Sequence, residues 1–370
     1  MAKDYAINVT INGKDNASGV MKSFGGEFAR QLGIASAAAA AALAVFKGFN
    51  VAADFEKEMS ALKAYSMASN TEFEALRLKA IELGKGTIFT STEVVQAMEE
   101  LSKAGLDINS VLQGTEATLY LAAAGQLNLA EAAKIAATAM NIFNLPATEI
   151  GHVADVLAVA AAKTATDVRE LGEAFSYVGP VAAALDMSLE ETTAIMALMS
   201  KAGIASSMAG TSLRNIMMDI INPTKRAAET MSAWGIKTTD AQGQMLPLVD
   251  IIKQFEPVLA KGTAGVAAIN TIFGERGGPG FISLVRAGAS VSDDFVKSLY
   301  NVDDASDKMA NTMMDNLRGA MERVAGSAEA IAISFFNGSD EKSISGSFKR
   351  FLDRSEERRV GKACRSRGSP

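Results

Sequence analysis

Cysteine and histidine are nearly absent from this 370-residue chain, which contains one of each, Cys364 and His152. Disulfide frameworks need paired cysteines, and zinc sites need several cysteine or histidine ligands at fixed spacing. A catalytic triad would have to use His152, whose apolar helical surroundings are typical of a structural residue. The sequence therefore predicts no catalytic residue, no metal site and no cofactor, and we expect that the chain is not an enzyme.

Aromatic residues and prolines are also scarce, at 6% and seven residues, although 48% of the chain is hydrophobic. Strands favour aromatic and β-branched side chains, whereas a low proline content leaves long stretches free to be helical. Glycines fall mainly at the ends of apolar-periodic runs, where helix C-caps belong. We predict a mainly α fold: a multi-helix domain with capped helical hairpins, one short N-terminal β-strand and long flanking helices.

An excess of positive charge is missing as well, since the formal net charge is −6. Nucleic-acid binding depends on cationic side chains that neutralise phosphates, and single-strand platforms add aromatic rings between them. No Lys/Arg cluster in the body of the chain alternates with aromatic residues in this way. The composition therefore predicts no specific nucleic-acid binding.

The last sixteen residues, 355–370, differ from the rest in composition and lack apolar periodicity. They resemble one translated reading frame of a common short-read sequencing adapter, departing from it at Ala363 and Gly368. The alternative interpretation is a disordered basic tail. If the segment is foreign, Cys364 is foreign too, the native protein continues beyond about Arg354, and removing five Lys/Arg and two Glu changes the net charge from −6 to −9.

The N-terminal region, residues 1–17, contains one predicted strand. Alternation over 5–12 places Ile7, Val9 and Ile11 on one face, and the strand stops at Asn12-Gly13. A single strand needs a partner, which would lie elsewhere in a longer protein or in another copy; otherwise the segment is loosely ordered.

An Ala-rich long helix is predicted over residues 18–70. Its proposed packing stripe consists of Phe46, Phe49, Phe55, Met59 and Leu62. The apolar run 34–46 has only 13 residues, too few to cross about 30 Å of hydrocarbon at 1.5 Å per residue. A packing helix is the preferred interpretation; the alternative function is a membrane-active helical protein that inserts through residues 34–53.

The stretch 71–222 is predicted to be a core domain of successive helices. Three segments have the capping-box pattern, an N-cap acceptor three residues before a glutamate: Thr90-x-x-Glu93, Asn128-x-x-Glu131 and Ser188-x-x-Glu191. The sequences Ser102-Lys-Ala-Gly105-Leu106 and Ser200-Lys-Ala-Gly203-Ile204 recur about 98 residues apart. This recurrence suggests an internal duplication, although two copies are weak evidence for a solenoid.

Residues 223–336 are predicted to form further helices, with a small turn or hairpin at 235–244 and a Gly-rich break at 274–280. The Gly-rich break lacks the Gly-Lys-Ser/Thr of a phosphate loop, so a helix-to-helix turn is favoured. Residues 337–354 are read as a Gly/Ser-rich linker.

Paired glutamates and clustered methionines are possible functional groups. Solvated faces and caps explain the glutamate pairs 56/58, 99/100 and 190/191 better than acid–base chemistry does, because adjacent helical residues point in different directions. Methionines 196, 199, 208, 217 and 218 are assigned to core filling, with an adaptable partner groove as the alternative.

Several segments, in order, resemble the conserved core of the phage tail tape-measure family. The resemblance covers most of residues 5–290. It rests on 53–60 (Ala-Asp-Phe-Glu-Lys-Glu-Met-Ser), 87–94 leading to 101–105, 166–172 leading to 178–179, 187–194 through 202–204, 209–214 (Ala-Gly-Thr-Ser-Leu-Arg) and 272–274. The block ending in Arg214 is the most specific, although it contains no recognisable catalytic group. Within it, Gly203 is predicted to end one helix and Gly210 to let the next helix approach closely.

The resemblance implies a helical, partly coiled-coil assembly protein around which tail-tube subunits polymerise. Its length would set tail length, and it would leave the tube at DNA ejection. The implied partners are the tail-tube protein, tail-assembly chaperones, tail-tip proteins and other copies of the chain, with host-membrane contact at ejection as a further expectation. The implied location is the virion tail lumen after synthesis in the bacterial host cytoplasm. Because a helix advances 1.5 Å per residue, length measurement needs no catalytic group. The compact core is expected not to be the measuring rod itself.

Overall fold

A computed structural model describes residues 38–164, 166–204 and 206–336. Within them the chain forms fifteen α-helices and one 3-10 turn, Ala147–Glu149. The helices are α1 Ala38–Ser66, α2 Asn70–Gly86, α3 Ser91–Lys103, α4 Ile108–Gly125, α5 Leu129–Ile142, α6 Ile150–Lys163, α7 Val168–Ala184, α8 Leu189–Lys201, α9 Ser206–Ile221, α10 Lys225–Ala233, α11 Leu248–Leu259, α12 Thr263–Ala287, α13 Ala289–Leu299, α14 Ala305–Met314 and α15 Leu317–Phe336.

The mainly α prediction is confirmed for the described residues, in which no sheet is found. The predicted strand at 5–12, the linker at 337–354 and the adapter-like segment at 355–370 lie outside them.

Two compact units divide the chain. One comprises Met1–Glu56 together with Ile331–Pro370, and its described part contains the start of α1 and the end of α15. The other is Lys57–Ala330, which contains α2 to α14 and the whole of the predicted core at 71–222.

Helix α1 buries three of the five residues of the predicted packing stripe, and Phe49 is half-buried. Phe55, Met59 and Leu62 are 1%, 3% and 0% exposed, as expected for an apolar face at helical spacing. The helix ends at Ser66, a few residues before the predicted boundary, and Met67 follows with a left-handed backbone at φ 50°. In the described part of the chain, which includes residues 38–53, no helix is long and apolar enough to cross a membrane.

Helix spacing repeats along the unit. Helices α2, α3 and α4 begin at residues 70, 91 and 108, and α7, α8 and α9 begin 98 residues later, at 168, 189 and 206. Helices α6 and α11 keep the same offset, beginning at 150 and 248. The N-cap residues correspond as well, Ser69 with Asp167 and Thr90 with Ser188. This regular spacing supports the interpretation of an internal duplication.

Short left-handed connectors produce this compact helical array. At Gly105, Gln126 and Asp186 the backbone has φ of +92°, 53° and 55°. The next residue is apolar and buried, and its N–H donates to a carbonyl five residues earlier, as in a Schellman motif. The residue after that is already the N-cap of the next helix, so only three or four residues separate consecutive helices: 104–107, 126–128 and 185–188.

The predicted break at 274–280 is wrong in extent. Only Gly274 leaves helical geometry, at φ 63° and ψ −170°, and residues 275–280 continue α12 after this kink. Gly277, Gly278 and Gly280 are buried in α12, whereas Gly274 at the kink is exposed. By contrast, the predicted turn at 235–244 is confirmed as a small hairpin with an antiparallel bridge between Thr239 and Met245.

Candidate functional site

Among the described side chains, no group of three or more His, Cys, Asp or Glu residues is arranged to hold a metal ion. His152 Nε2 lies 2.7 Å from Glu190 Oε1, which joins α6 to α8. Glu190 is only 8% exposed, so the prediction that solvation or capping explains this glutamate is wrong; its surroundings are those of a structural contact between helices.

The predicted capping boxes are complete at one of three positions. Thr90 accepts a hydrogen bond from the backbone of Glu93, whose carboxylate accepts one from the backbone N of Thr90 at 2.8 Å. Ser69 and Glu72 form a second complete box, which the sequence analysis missed although the Ser-x-x-Glu pattern is present. Such reciprocal pairs satisfy backbone donors that an isolated helix end leaves free.

At the other two positions the N-cap prediction is confirmed, but the glutamate contacts another helix. Asn128 accepts from the backbone of Glu131, while the Glu131 carboxylate accepts from the guanidinium of Arg169 on α7, with one contact at 2.8 Å. This hydrogen bond lowers the pKa of Glu131. Glu131 therefore links α5 to α7 instead of closing its own capping box.

Ser188 likewise accepts from the backbone of Glu191. The Glu191 carboxylate accepts from the backbone N of Leu248, the first residue of α11, at 3.3 Å. Burial is the main cause that raises the pKa of Glu191. A predicted local cap thus becomes a contact between helices that are separated by 57 positions in the chain.

Carboxylates from distant helices occupy four helix N-termini, and we call this set the tertiary caps. Besides Glu191 at α11, Glu256 accepts from Ala289 N at α13 (2.7 Å), Asp155 from Ser306 N at α14 (2.7 Å), and Glu329 from Thr92 N at α3 (3.1 Å).

Three of the four tertiary caps compensate for poor local caps, whereas α3 also has the complete Thr90–Glu93 capping box. The N-cap positions of α11 and α13 are Pro247 and Gly288, whose side chains have no hydrogen-bonding group. Asp304, at the N-cap of α14, is left-handed, and its side chain makes no capping hydrogen bond within the described chain. A carboxylate at a helix N-terminus accepts from the free N–H groups, and its charge interacts favourably with the helix dipole, typically by about 0.3–2 kcal/mol. At Glu191 burial opposes the charged form, which raises the pKa of this carboxyl.

The family-like block at 209–214 lies on α9, where three helices pack closely. A Cβ on Gly210 would lie 2.6 Å from the Ala174 carbonyl oxygen of α7, so glycine is required for this approach. The predictions for both glycines are confirmed, because Gly203 ends α8 at φ +89° and donates its N–H to Ser200 O. Arg214 is partly exposed, and nothing in its surroundings assigns it a recognition role.

The other side of α9 meets α12 just after the kink. Cβ atoms on Gly277 and Gly280 would lie 3.3 Å from Ile216 Cγ1 and 2.2 Å from Ser212 Oγ. Phe273 and Phe281 flank these glycines in the sequence of α12. Their rings pack together with that of Phe255 on α11, with centroids 4.2–5.7 Å apart. The Gly-rich stretch is therefore a helix-packing surface.

Methionines divide between core and surface. Met196, Met199 and Met217 are fully buried, which confirms core filling for these three. Met208 and Met218 are 64% and 47% exposed, so the core-filling prediction is wrong for these two.

An exposed apolar surface lies on α15, and we call it the α15 stripe: Met321, Val324 and Ala328. The three residues are exposed, Met321 by 66% and Val324 by 70%. Their spacing of three and four residues is that of a coiled-coil seam, in which positions a and d of a heptad pack against another helix. The residues beside them at the e and g positions, Ala320, Ala325 and Ser327, are small and uncharged. The α15 stripe is therefore suited to close contact with a helix.

Sequence reasoning missed the tertiary caps and the α15 stripe. The caps had no detectable signal, because their partners lie 33 to 237 positions apart. The α15 stripe did have a detectable signal in the sequence, its heptad spacing. However, buried and exposed apolar stripes look the same in a sequence.

Comparison with known proteins supports the family resemblance that the ordered motifs suggested. Residues 77–274 match the model of a family described as phage-related minor tail protein. The tape measure protein of Pneumococcus phage Dp-1 is 37% identical over 253 residues, which cover 67% of this chain and 22% of that protein. The probable tape measure protein of Escherichia phage P2 is 28% identical over 256 residues, covering 68% of this chain and 31% of that protein. No solved structure matches the chain.

Proposed function

Because this chain belongs to the phage-related minor tail protein family, within the tape-measure group, we propose that it is a helical, non-catalytic part of a tail tape-measure protein. The observation that carries the proposal is that the family match, 77–274, lies entirely within the compact unit Lys57–Ala330. The chain spans between about a fifth and a third of the length of the two relatives.

We propose further that this unit holds a fixed position in the tail while other parts of the protein measure length. A ruler must be extended, because each helical residue adds about 1.5 Å only along a continuous axis. The Lys57–Ala330 unit folds back on itself instead, through short connectors such as 104–107 and through the tertiary caps. It would serve tail-tube polymerisation as an attachment point and leave with the protein at DNA ejection. Tail-tube protein, tail-assembly chaperones and tail-tip proteins are the partners we propose.

Complementation of a phage that lacks the tape-measure gene tests this proposal. The whole gene with the natural sequence should restore tails of normal length in electron micrographs. The same gene with Gly210→Leu, which breaks the α7–α9 contact, should give few tails, and those that form should have normal length. The matched control is Gly151→Ala, because a Cβ at this helical position has open space around it.

Two results would contradict the proposal in different ways. Normal tails without any tape-measure gene would refute the assembly role. Uniformly shorter tails with Gly210→Leu would show that this unit contributes to the ruler.

We also propose that copies of the chain associate through the α15 stripe. A second copy is a suitable partner because the stripe has heptad spacing and its uncharged flanks, Ala320, Ala325 and Ser327, create no repulsion between identical helices. Light scattering after size-exclusion chromatography should show an oligomer of the chain. The double substitution Met321→Lys with Val324→Lys should give a monomer.

Val291→Lys provides the matched control, since Val291 is another exposed apolar residue, 49% exposed on α13. This variant should remain oligomeric. A monomeric natural chain, or equal loss of association in both variants, would refute the role of the stripe without touching the family assignment.

A further inference from the structure

Helix α14 packs along α4 but buries few of its own side chains completely. Of its ten residues, all of them described, only Ser306 and Ala310 are buried. Helix α3, with thirteen residues, buries seven. Burial of apolar surface supplies about 25 cal/mol per Å², so α14 gains much less from packing than the core helices do.

A polar contact also anchors α14. Asp155 on α6 is 6% exposed, and its Oδ1 accepts hydrogen bonds from Ser306 N at 2.7 Å and from Ser306 Oγ at 2.5 Å. The residues beside Asp155 in α6, Ala154 and Val156, are fully buried. A carboxylate in such surroundings loses hydration, and the hydrogen bonds from Ser306 compensate for that loss only while α14 is in place.

Opening at α14 is therefore favoured over opening of core helices such as α3. When α14 leaves, Asp155 loses its hydrogen bonds to Ser306 but regains water, and little apolar surface becomes exposed. A core helix regains no such hydration when it leaves. Local opening of a protein begins where few apolar contacts must break.

The ends of α14 are suited to act as hinges. Asp304, before the helix, has φ 57°, a left-handed conformation that costs a non-glycine residue free energy. After the helix, Asp315 and Asn316 are non-helical, and the Asn316 side chain already caps α15 by accepting from Gly319 N at 2.9 Å. Dihedral changes at these positions move α14 without unwinding α13 or α15.

We propose that α14 is a strap, anchored by Asp155, that detaches from α4 and α6 while those helices stay folded. Detachment lengthens the connection between α13 and α15, so that α15 can move away from the remaining helices without unfolding them. The strap is thus a conformational device, and it would operate whatever larger assembly the chain joins.

Hydrogen exchange followed by mass spectrometry on the whole chain tests the proposal. Amides of α14 should exchange at least about tenfold faster than those of α4 and α6, and their rates should depend little on added urea, because a local opening exposes little surface. If α14 exchanges only together with α4 and α6, with the same dependence on urea, the strap does not exist.

Substitutions test the anchor. Asp155→Ala should speed exchange in α14 by about tenfold, the equivalent of about 1.4 kcal/mol, and leave α4 unchanged. Glu256→Ala is the matched control, because it removes the corresponding contact at α13 and should speed exchange there only. Ser306→Ala keeps the backbone N–H donor and should accelerate hydrogen exchange in α14 by a smaller factor. This variant also tests the anchor if Asp155→Ala fails to fold. Unchanged α14 exchange in both anchor variants, or equal acceleration of all helices, would overturn the proposal.

Discussion

Glu329 on α15 accepts two hydrogen bonds from Thr92 on α3, one from the backbone N at 3.1 Å and one from the hydroxyl at 2.8 Å. The two residues are 237 positions apart, yet one carboxylate oxygen satisfies a donor in the first turn of α3. The contact brings the negative charge of one helix to the N-terminus of another, where the helix dipole favours it.

Loss of this tertiary cap should lower stability measurably. Glu329→Ala leaves two donors of Thr92 without their acceptor, and we expect a loss of about 1–2 kcal/mol in the free energy of unfolding. Urea unfolding followed by circular dichroism measures it. Glu322→Ala on the same helix removes an exposed pair with Arg318 and should cost less than about 1 kcal/mol. Equal losses in both variants would show that the cap adds nothing beyond surface charge.

Glu191 should make stability fall as pH rises. Burial raises the pKa of Glu191 in the folded chain, so the folded state holds this proton more tightly than the unfolded state does. Its favourable contribution is complete below the ordinary pKa of 4.5 and is lost as pH rises through the folded value. Glu191→Gln cannot ionise and still offers an oxygen to Leu248 N, so it should unfold at a higher urea concentration than the natural chain at pH 7.

The two proteins should converge in acid, because both then carry a neutral side chain at position 191. Urea midpoints measured at pH 3.5 and pH 7 distinguish the outcomes. A Gln variant that is less stable than the natural chain at pH 7 would show that the charge on Glu191, and not its desolvation, dominates.

Glu131 should have the opposite pH dependence. The hydrogen bond from Arg169 lowers the pKa of Glu131, so the contribution of this pair is present above the ordinary pKa of 4.5 and is lost as pH falls through the folded value. Glu131→Gln should therefore be less stable than the natural chain at pH 7, and the difference should shrink in acid. The same urea series measures it, and added salt should reduce the difference, because the pair lies at the surface. A difference that is constant with pH would exclude the ion pair as its cause.

Gly210 should not tolerate a side chain. Gly210→Ala places a Cβ 2.6 Å from the Ala174 carbonyl oxygen, and separating α7 from α9 should cost about 1–3 kcal/mol. Gly151→Ala is the control on α6, where a Cβ has open space and alanine should stabilise the helix by up to about 1 kcal/mol. Thermal unfolding temperatures should therefore change in opposite directions. A higher unfolding temperature in both variants would mean that the gain in helix propensity outweighs the close contact at Gly210.

Helix starts could be predicted from the sequence wherever the capping interaction is local. At Thr90, Asn128 and Ser188 the side chain binds a backbone N–H three residues later, so the residue pattern alone locates the helix end. The Gly-rich stretch at 274–280 misled the prediction, because glycine permits both loops and close helix contacts. Only the neighbouring α9 shows which of the two is present.

By itself, the sequence determined the helical class, the N-caps at Thr90, Asn128 and Ser188 and the family to which the chain belongs, since each depends on residue order over short distances. Tertiary structure alone decided where Glu131 and Glu191 direct their carboxylates, which methionines are buried and which helices receive a cap from Asp155, Glu256 or Glu329. The physical reason is range. A cap within one turn is set by three or four neighbouring residues, whereas a contact between distant helices exists only after every connector between them has placed those helices side by side.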